Sequence, residues 1–243
     1  DTALRLNMAT IDHLDGYLVA LLPPDSYESG GYGGFFDVLL ADQLGQERIG
    51  ELAAQTAAAG TWNVPTESLF EHRVSEVSVA ELSSLPEMRY MPRATVQQWA
   101  RAKQAVENDR GFDPDVAAKA IQIRRMIIKA LHDAGAGLLL GSDAPQVFNV
   151  PGFSIHHELR FLVESGLTPF EALATGTTAV AEFLGSNTGS IEVGRDADLV
   201  LLDSNPLADI SSTRRVHGVM LRGNWYSSAE LKERMDPYKA QNN

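Results

Sequence analysis

The sequence predicts an α/β protein followed by a small β-rich unit. Helical segments alternate with short apolar runs through the first part of the chain, the order expected of parallel strands joined by helices. The run 136–143 is almost continuously apolar, as expected of a parallel strand buried on both faces. After Gly189 the pattern changes to short strands separated by polar turns. We therefore expect two regions, residues 1–188 and residues 189–243.

Composition excludes several classes of protein. The chain has 243 residues, of which 44% are hydrophobic and 21% charged, as in ordinary globular domains. Its net charge of −12 disfavours nonspecific nucleic-acid binding, which depends on Lys and Arg neutralising phosphates. We therefore expect no nucleic-acid partner. No apolar run approaches the ~20 residues of a membrane span, so we do not expect a membrane partner either. The sequence does not indicate a cellular compartment.

Strands are expected where apolar runs end in polar residues. Residues 2–11 predict a strand that delivers His13 at its C-terminal end, and prolines and glycines predict a loop over 23–36. Residues 61–66 predict a short strand closed by a proline. In the β-rich unit, strands are predicted at 191–193, 197–202 and 218–221, with a helix closing the chain.

Helices are predicted from apolar spacing and from their capping residues. The segment 44–59 carries one apolar face and ends at Gly60, a favourable helix stop. A second helix runs from a predicted N-cap at Thr95 to residue 108. Asp113 is the predicted N-cap of a longer helix that ends at Gly135. Shorter helices are expected at 78–85, 155–165, 168–175 and 177–184.

Two residues at predicted strand ends could carry chemistry. Asp143 follows a buried strand, where a carboxylate can bind a divalent metal or accept a proton, although an N-cap role is equally compatible. His13 also follows a strand, and neutral imidazole is a favoured zinc ligand, although a lone histidine more often only hydrogen-bonds. The chain has no cysteine, so any metal must be held by His, Asp, Glu or a modified Lys.

The remaining histidines are weaker candidates. His156 and His157 are adjacent on a predicted helix and point about 100° apart, so we expect one to face a pocket and the other solvent. His72, His132 and His217 have no supporting neighbours and are assigned to structure.

Several stretches together resemble the amidohydrolase superfamily, in the branch of imidazolonepropionase-like and Xaa-Pro dipeptidase-like enzymes. The most specific is the run G-x-I-x-x-G-x-x-A-D-L-V-x-L-D, and the loosest match is over 67–112. The matching segments are 11–14, 62–66, 141–144, 156–159, 166–173, 189–203 and 205–210. The resemblance implies a partial (β/α)8 TIM barrel, covering about strands six to eight, followed by part of a small β-sandwich.

The resemblance also implies an activity. Asp143 is similar to the strand-eight aspartate, which binds metal and acts as general base. His13 is similar to the strand-six histidine, which binds the second metal in binuclear members and contacts the water or substrate in mononuclear ones. His156 is similar to a residue of the substrate pocket. The implied cofactor is zinc or another divalent metal, with two ions in binuclear members. The implied reaction is hydrolysis of a C–N bond in a small peptide-like substrate, as by a dipeptidase, or alternatively in a cyclic amide, as by imidazolonepropionase.

The sequence departs from this family in its metal ligands. The strand-one His-x-His pair, the strand-four lysine and the strand-five histidine have no counterparts, and only 12 residues precede His13. We expect a fragment of a longer protein; the alternatives are a second chain that supplies the first half, or a noncatalytic relative that serves as an oligomerising or binding module. Because a partial barrel exposes sheet edges, we also expect a homo-oligomer or aggregation.

Overall fold

The fold is that of an α/β protein with two small sheets. The computed structural model describes residues 2–23 and 33–239. The helices are α1 (Thr2–Arg5), α2 (Tyr17–Ala20), α3 (Ile49–Ala59), α4 (Glu67–Val74), α5 (Val79–Ser83), α6 (Arg93–Glu107), α7 (Pro114–Asp133), α8 (Ser154–Glu164), α9 (Pro169–Thr175), α10 (Thr178–Leu184) and α11 (Ser228–Lys239). The strands are β1 (Thr10–Asp12), β2 (Trp62–Val64), β3 (Leu199–Leu202), β4 (Val216–Leu221) and β5 (Asn224–Ser227). Turns of 3₁₀ helix lie within Phe35–Gln43, Gln46–Arg48, Pro86–Tyr90 and Ile210–Arg214.

Three parallel segments lie side by side at the centre of the first region. β1 pairs with β2 in parallel, with Thr10 opposite Trp62. On the other side of β2, the Asn63 amide donates to the Gly137 carbonyl at 2.8 Å, and the Leu139 amide donates to the Asn63 carbonyl at 2.8 Å. These two bonds place the segment around residue 138 beside β2, and so bring the ends of all three segments to one rim.

The prediction of a regular strand over 136–143 is wrong. Only Leu138 forms a bridge, because the three-residue β2 offers few partners. The amide of Leu140 then turns away and donates to the Thr175 carbonyl at 3.0 Å. The apolar run is therefore buried by helices as much as by sheet pairing.

The first predicted strand is also shorter than expected. Residues 2–5 form α1, and only Thr10–Asp12 is a strand, although it does end directly before His13. Part of the predicted loop over 23–36, residues 24–32, lies outside the described residues. The rest leads into the 3₁₀ turns of Phe35–Gln43.

Helix boundaries follow the capping chemistry with two corrections. Asp113 caps α7 as predicted and accepts the Asp115 amide at 2.9 Å. Thr95 is not an N-cap, because α6 already begins at Arg93 and the Pro92 carbonyl accepts the Thr95 amide at 2.9 Å. The helix predicted over 44–59 begins five residues late, at Ile49, after an extended Gly45.

The hydrophobic core lies along α7. Its buried face carries Ile123, Ile127, Ile128 and Leu131, all 0–2% exposed. α7 packs against α3 and against the turns of Phe35–Gln43. This helix therefore lies behind the three parallel segments and can reach the loops at their ends.

The last part of the chain forms an antiparallel sheet in the order β3-β4-β5. Leu199 lies opposite Met220, and Gly218 opposite Ser227. The strand predicted at 191–193 is absent from the described structure: it has no pairing partner, and Ile191 is 87% exposed. β5 was not predicted. Across residues 2–23 and 33–239, no helix has the length and apolarity of a membrane span.

Gly137 allows the third parallel segment to approach β2. A Cβ atom there would lie 2.3 Å from the indole of Trp62, so the ring would have to leave its position. We expect Gly137→Ala to lower the free energy of unfolding by about 1–3 kcal/mol in urea titrations. Gly50→Ala is the matched control, since its Cβ meets nothing within 4 Å and lies in α3, where alanine stabilises by roughly 0.5–1 kcal/mol. Equal stability of the Gly137 variant and the parent would contradict this packing.

Candidate functional site

His13 and Asp143 meet at the rim formed by the ends of the parallel segments. The His13 amide donates to the Val64 carbonyl at 2.8 Å, which continues the pairing of β1 with β2 by one residue. The His13 Nε2 and Asp143 Oδ2 atoms are 4.0 Å apart, and the two side chains are 25% and 40% exposed. The two residues chosen from the sequence are therefore neighbours and reachable from solvent. Their roles remain predictions.

Thr66 orients the imidazole of His13. The Thr66 hydroxyl donates its single proton to the Pro65 carbonyl at 2.8 Å, so it accepts from His13 Nδ1, which lies 2.7 Å away. A neutral His13 therefore carries its proton on Nδ1 and directs the lone pair of Nε2 towards Asp143. In that tautomer two acceptor atoms face each other at 4.0 Å, a spacing that a cation or a proton donor between them would satisfy.

The backbone at this rim is strained at several residues. His13, Leu14, Thr66 and Asp143 all have positive φ, between 49° and 60°. Residues other than glycine rarely adopt this conformation, and such strain tends to be retained at functional sites. Its concentration at the ends of three adjacent segments supports the choice of this rim as the candidate site.

Buried polar side chains anchor the segment that carries Asp143. Asn149 donates to the Ser142 carbonyl at 2.7 Å, and the hydroxyls of Ser142 and Ser154 lie 2.7 Å apart. All three residues are buried. Because Ser154 begins α8, these contacts fix the position of Asp143 relative to that helix.

Neither histidine of the adjacent pair on α8 projects freely into solvent, so that prediction is wrong. His156 Nδ1 lies 3.0 Å from the Thr213 hydroxyl, and His157 Nε2 lies 2.6 Å from a carboxylate oxygen of Glu87. Burial, with a contribution from Arg214, lowers the pKa of His156 to about 4. A substrate-binding role for His156 stays a prediction.

The three histidines assigned to structure lie away from the rim contacts described above. The rings of His132 and His217 lie 3.4 and 3.0 Å from the carboxylates of Asp133 and Asp203. His72 is buried in α4, and its ring lies 5.0 Å from that of His157. Burial, followed by the nearby His157, lowers the pKa of His72 to about 3.

Three charged residues behind the rim were missed from the sequence. Glu158 is buried and accepts the amides of Glu67 and Ser68, at 2.8 and 2.7 Å. Burial raises the pKa of Glu158 to about 7. Arg124, also buried, donates from Nε to Glu67 at 2.9 Å. A signal for Arg124 was present, because it stands three residues after Ile121 on the apolar face of the predicted helix.

Comparison with known proteins gives the class of the molecule. The amidohydrolase family model matches residues 44–226, so the chain belongs to the amidohydrolase family. Ochratoxinase from Aspergillus niger is 37% identical over 81 residues, which cover 32% of this chain and 16% of that protein. Imidazolonepropionase from Geobacillus sp. (strain WCH70) is 39% identical over 92 residues, covering 35% of this chain and 19% of that protein.

Solved structures show the same fold. A bottromycin amidohydrolase superposes with a TM-score of 0.66 at 22% identity, covering 98% of this chain and 50% of its own. A Xaa-Pro dipeptidase with bound methionine gives a TM-score of 0.51 at 20% identity, covering 93% and 41%. This chain therefore spans half or less of the length of the relatives it matches.

The rim fits part of a metal site. Amidohydrolases generally use divalent metals. The imidazole lone pair and the carboxylate facing it are the donor types that zinc prefers. However, no group of three or more potential ligands occurs within the described ranges 2–23 and 33–239, whereas stable zinc sites use three or four. His13 and Asp143 would therefore supply only two of the ligands that such a site needs.

His72 should make stability depend on acidity. The pKa of His72 is about 3 in the folded protein, below the 6.5 of a free histidine. Between these two pH values, the His72 ring is protonated in the unfolded chain and neutral in the folded one. Stability should therefore fall as the pH falls from 6.5 towards 3. We expect His72→Phe to flatten this slope by roughly 1 kcal/mol per pH unit in urea unfolding between about pH 4 and 6.5. The control His132→Gln, at a partly exposed site, should keep the parent slope; a parent-like slope in His72→Phe would contradict burial of the neutral ring.

Proposed function

We propose that this protein is part of a metal-dependent amidohydrolase that hydrolyses C–N bonds in small peptide-like or cyclic amide substrates. The observation that carries the proposal is the approach of His13 Nε2 to Asp143 Oδ2, 4.0 Å apart on a solvent-accessible rim. Thr66 leaves the lone pair of His13 facing the carboxylate, an arrangement suited to a divalent cation.

Asp143 is the proposed proton carrier. His13 and Asp143, together with further ligands, would hold a divalent ion, which would lower the pKa of bound water and polarise the substrate carbonyl. The Asp143 carboxylate takes a proton from the attacking water as the new C–O bond forms. It then delivers that proton to the nitrogen as the C–N bond breaks, so that an amine and a carboxylate are released. The hydrogen bond from His13 Nδ1 to Thr66 keeps the imidazole oriented for its proposed role as a metal ligand.

The missing ligands are proposed to come from outside these 243 residues, in the same polypeptide or in a second chain. In this arrangement β1, β2 and the segment 136–143 correspond to barrel strands six, seven and eight. Residues 189–243 form part of the small β-domain. The fold shared with bottromycin amidohydrolase, of which this chain covers 50%, supports the assignment.

A dipeptidase-like substrate is the leading proposal, and His156 is proposed to lie in the substrate pocket. A cyclic amide is the second candidate, favoured by the 39% identity with imidazolonepropionase over 92 residues. A noncatalytic binding module is the alternative from another class. It is favoured by the lack of a three-ligand cluster in the part of the chain that the structure describes.

Asp143→Asn tests the proposed chemistry. We expect the zinc-supplemented protein, combined with the barrel half that carries the other ligands, to release amine from Xaa-Pro dipeptides or ring-open a cyclic amide. The substitution should lower that rate by about 100-fold or more, because the carboxamide cannot accept the proton. Asp133→Asn is the control, since Asp133 pairs only with surface neighbours on α7. A folded protein without bound zinc or activity in either form would favour the binding module, and activity retained in Asp143→Asn would overturn the mechanism.

Self-association is proposed through the outer edge of β1. Among the described strands β1 pairs with β2 alone, and an unpaired edge recruits further chains. Apolar Leu6 and Met8, 64% and 51% exposed, lie next to it. Light scattering during size-exclusion chromatography should give at least twice the 26.4 kDa chain mass. A uniform monomer at micromolar concentration would count against this.

A further inference from the structure

Arg124 joins the ends of both strands to the core. It lies on α7 with 1% of its side chain exposed. Its Nη1 donates to the His13 carbonyl at 2.9 Å, and its Nη2 donates to the Pro65 carbonyl at 3.2 Å. Its Nε donates to the Glu67 carboxylate at 2.9 Å. One guanidinium therefore contacts the residue after β1, the loop after β2 and the first residue of α4.

The chemistry of these contacts requires an arginine. The guanidinium is planar and presents five N–H donors in a fixed arrangement, whereas a lysine presents one compact charge. Glu67 is fully buried and pairs with the guanidinium. Burial raises the pKa of Glu67, and Arg124 offsets part of that rise. The Phe70 ring lies 4.2 Å from the guanidinium carbon and closes one face of the group. Lysine could keep the charge but could not hold two carbonyls and a carboxylate in the same geometry.

A chain of hydrogen bonds leads from Arg124 to the imidazole. The Pro65 carbonyl accepts both from Arg124 and from the Thr66 hydroxyl. The same hydroxyl accepts from His13 Nδ1, while Arg124 also fixes the His13 carbonyl. The orientation of the ring is thus determined at both its backbone and its Nδ1 atom.

We infer that Arg124 is a positioning residue that holds the His13 imidazole with Nε2 directed at Asp143. Its significance for catalysis rests on the proposed function, in which His13 is a metal ligand. The positional claim itself concerns only the ring and can be measured without metal or substrate.

Arg125 provides a matched control on the same helix. Its guanidinium also binds two carboxylates, those of Glu71 and Glu164, at 2.6–2.8 Å. It makes none of the contacts to the His13 and Pro65 carbonyls that Arg124 makes. Loss of either arginine removes buried ion pairing, but only the loss of Arg124 should disturb the rim.

The test compares Arg124→Lys with Arg125→Lys in the full chain, using the ring ¹⁵N NMR signals of His13, assigned with His13→Gln. We expect both variants to melt earlier than the parent. Only Arg124→Lys should move the His13 Nδ1 and Nε2 signals, towards the average of a ring that exchanges between tautomers. Zn²⁺ is the added probe. Its dissociation constant should rise about 10-fold or more in Arg124→Lys relative to the parent, the usual effect of losing a residue that orients a metal ligand.

Two results would overturn the inference: parent-like His13 signals in a folded Arg124→Lys, or equal displacement in Arg125→Lys. If Arg124→Lys does not fold, the paired change Arg124→Met with Glu67→Gln removes both charges together, which buried pairs often tolerate. The same displacement of the His13 signals is expected there. If zinc binds neither parent nor variants while the ring signals move as expected, the positioning role stands and the metal-site proposal fails.

Discussion

The buried ion pair between Arg124 and Glu67 is the interaction that holds the ends of β1 and β2 at the rim. β1 and β2 each have three residues, so few sheet hydrogen bonds support the loops that follow them. The guanidinium supplies that support from α7, whose apolar face is anchored in the core. Removing one partner of such a buried pair commonly costs about 3–5 kcal/mol, a large part of the stability of an ordinary domain.

A second carboxylate extends this support to the next helix. Glu158 on α8 accepts the amides of Glu67 and Ser68, the first residues of α4, where helical amides have no partner within the helix. Burial raises the pKa of Glu158 to about 7 and that of Glu71 to about 8, while it lowers the pKa of His72 to about 3. Burial thus opposes the charge on these groups, and Arg125 offsets part of that effect at Glu71. The rim, where His13 and Asp143 lie, is open to water.

The sequence was informative where local chemistry decides the structure. Asp113 as an N-cap and Gly60 as a helix stop are short-range effects, and both are present. The meeting of His13 with Asp143 was predictable as well, because parallel strands end at one edge. In contrast, the bond from Arg124 to Glu67 spans 57 residues, and that from Glu158 to Glu67 spans 91. No periodicity or motif reveals such pairs.

Regular strands were overestimated where apolar runs have no partner. The segment 136–143 is apolar because helices bury it, and β2 is too short to make it a full strand. Residues 191–193 carry strand-forming side chains but pair with nothing in the described structure. An apolar run therefore indicates burial more reliably than it indicates a ladder of hydrogen bonds.

The most direct measurement is a zinc titration of the folded chain followed through the ring ¹⁵N signals of all six histidines. If His13 and Asp143 form one site, zinc should first perturb Nε2 of His13 and leave its Nδ1 bonded to Thr66, and Asp143→Asn should remove this response. Zinc that first perturbs the exposed His217, or a His13 response that persists unchanged in Asp143→Asn, would contradict a shared site.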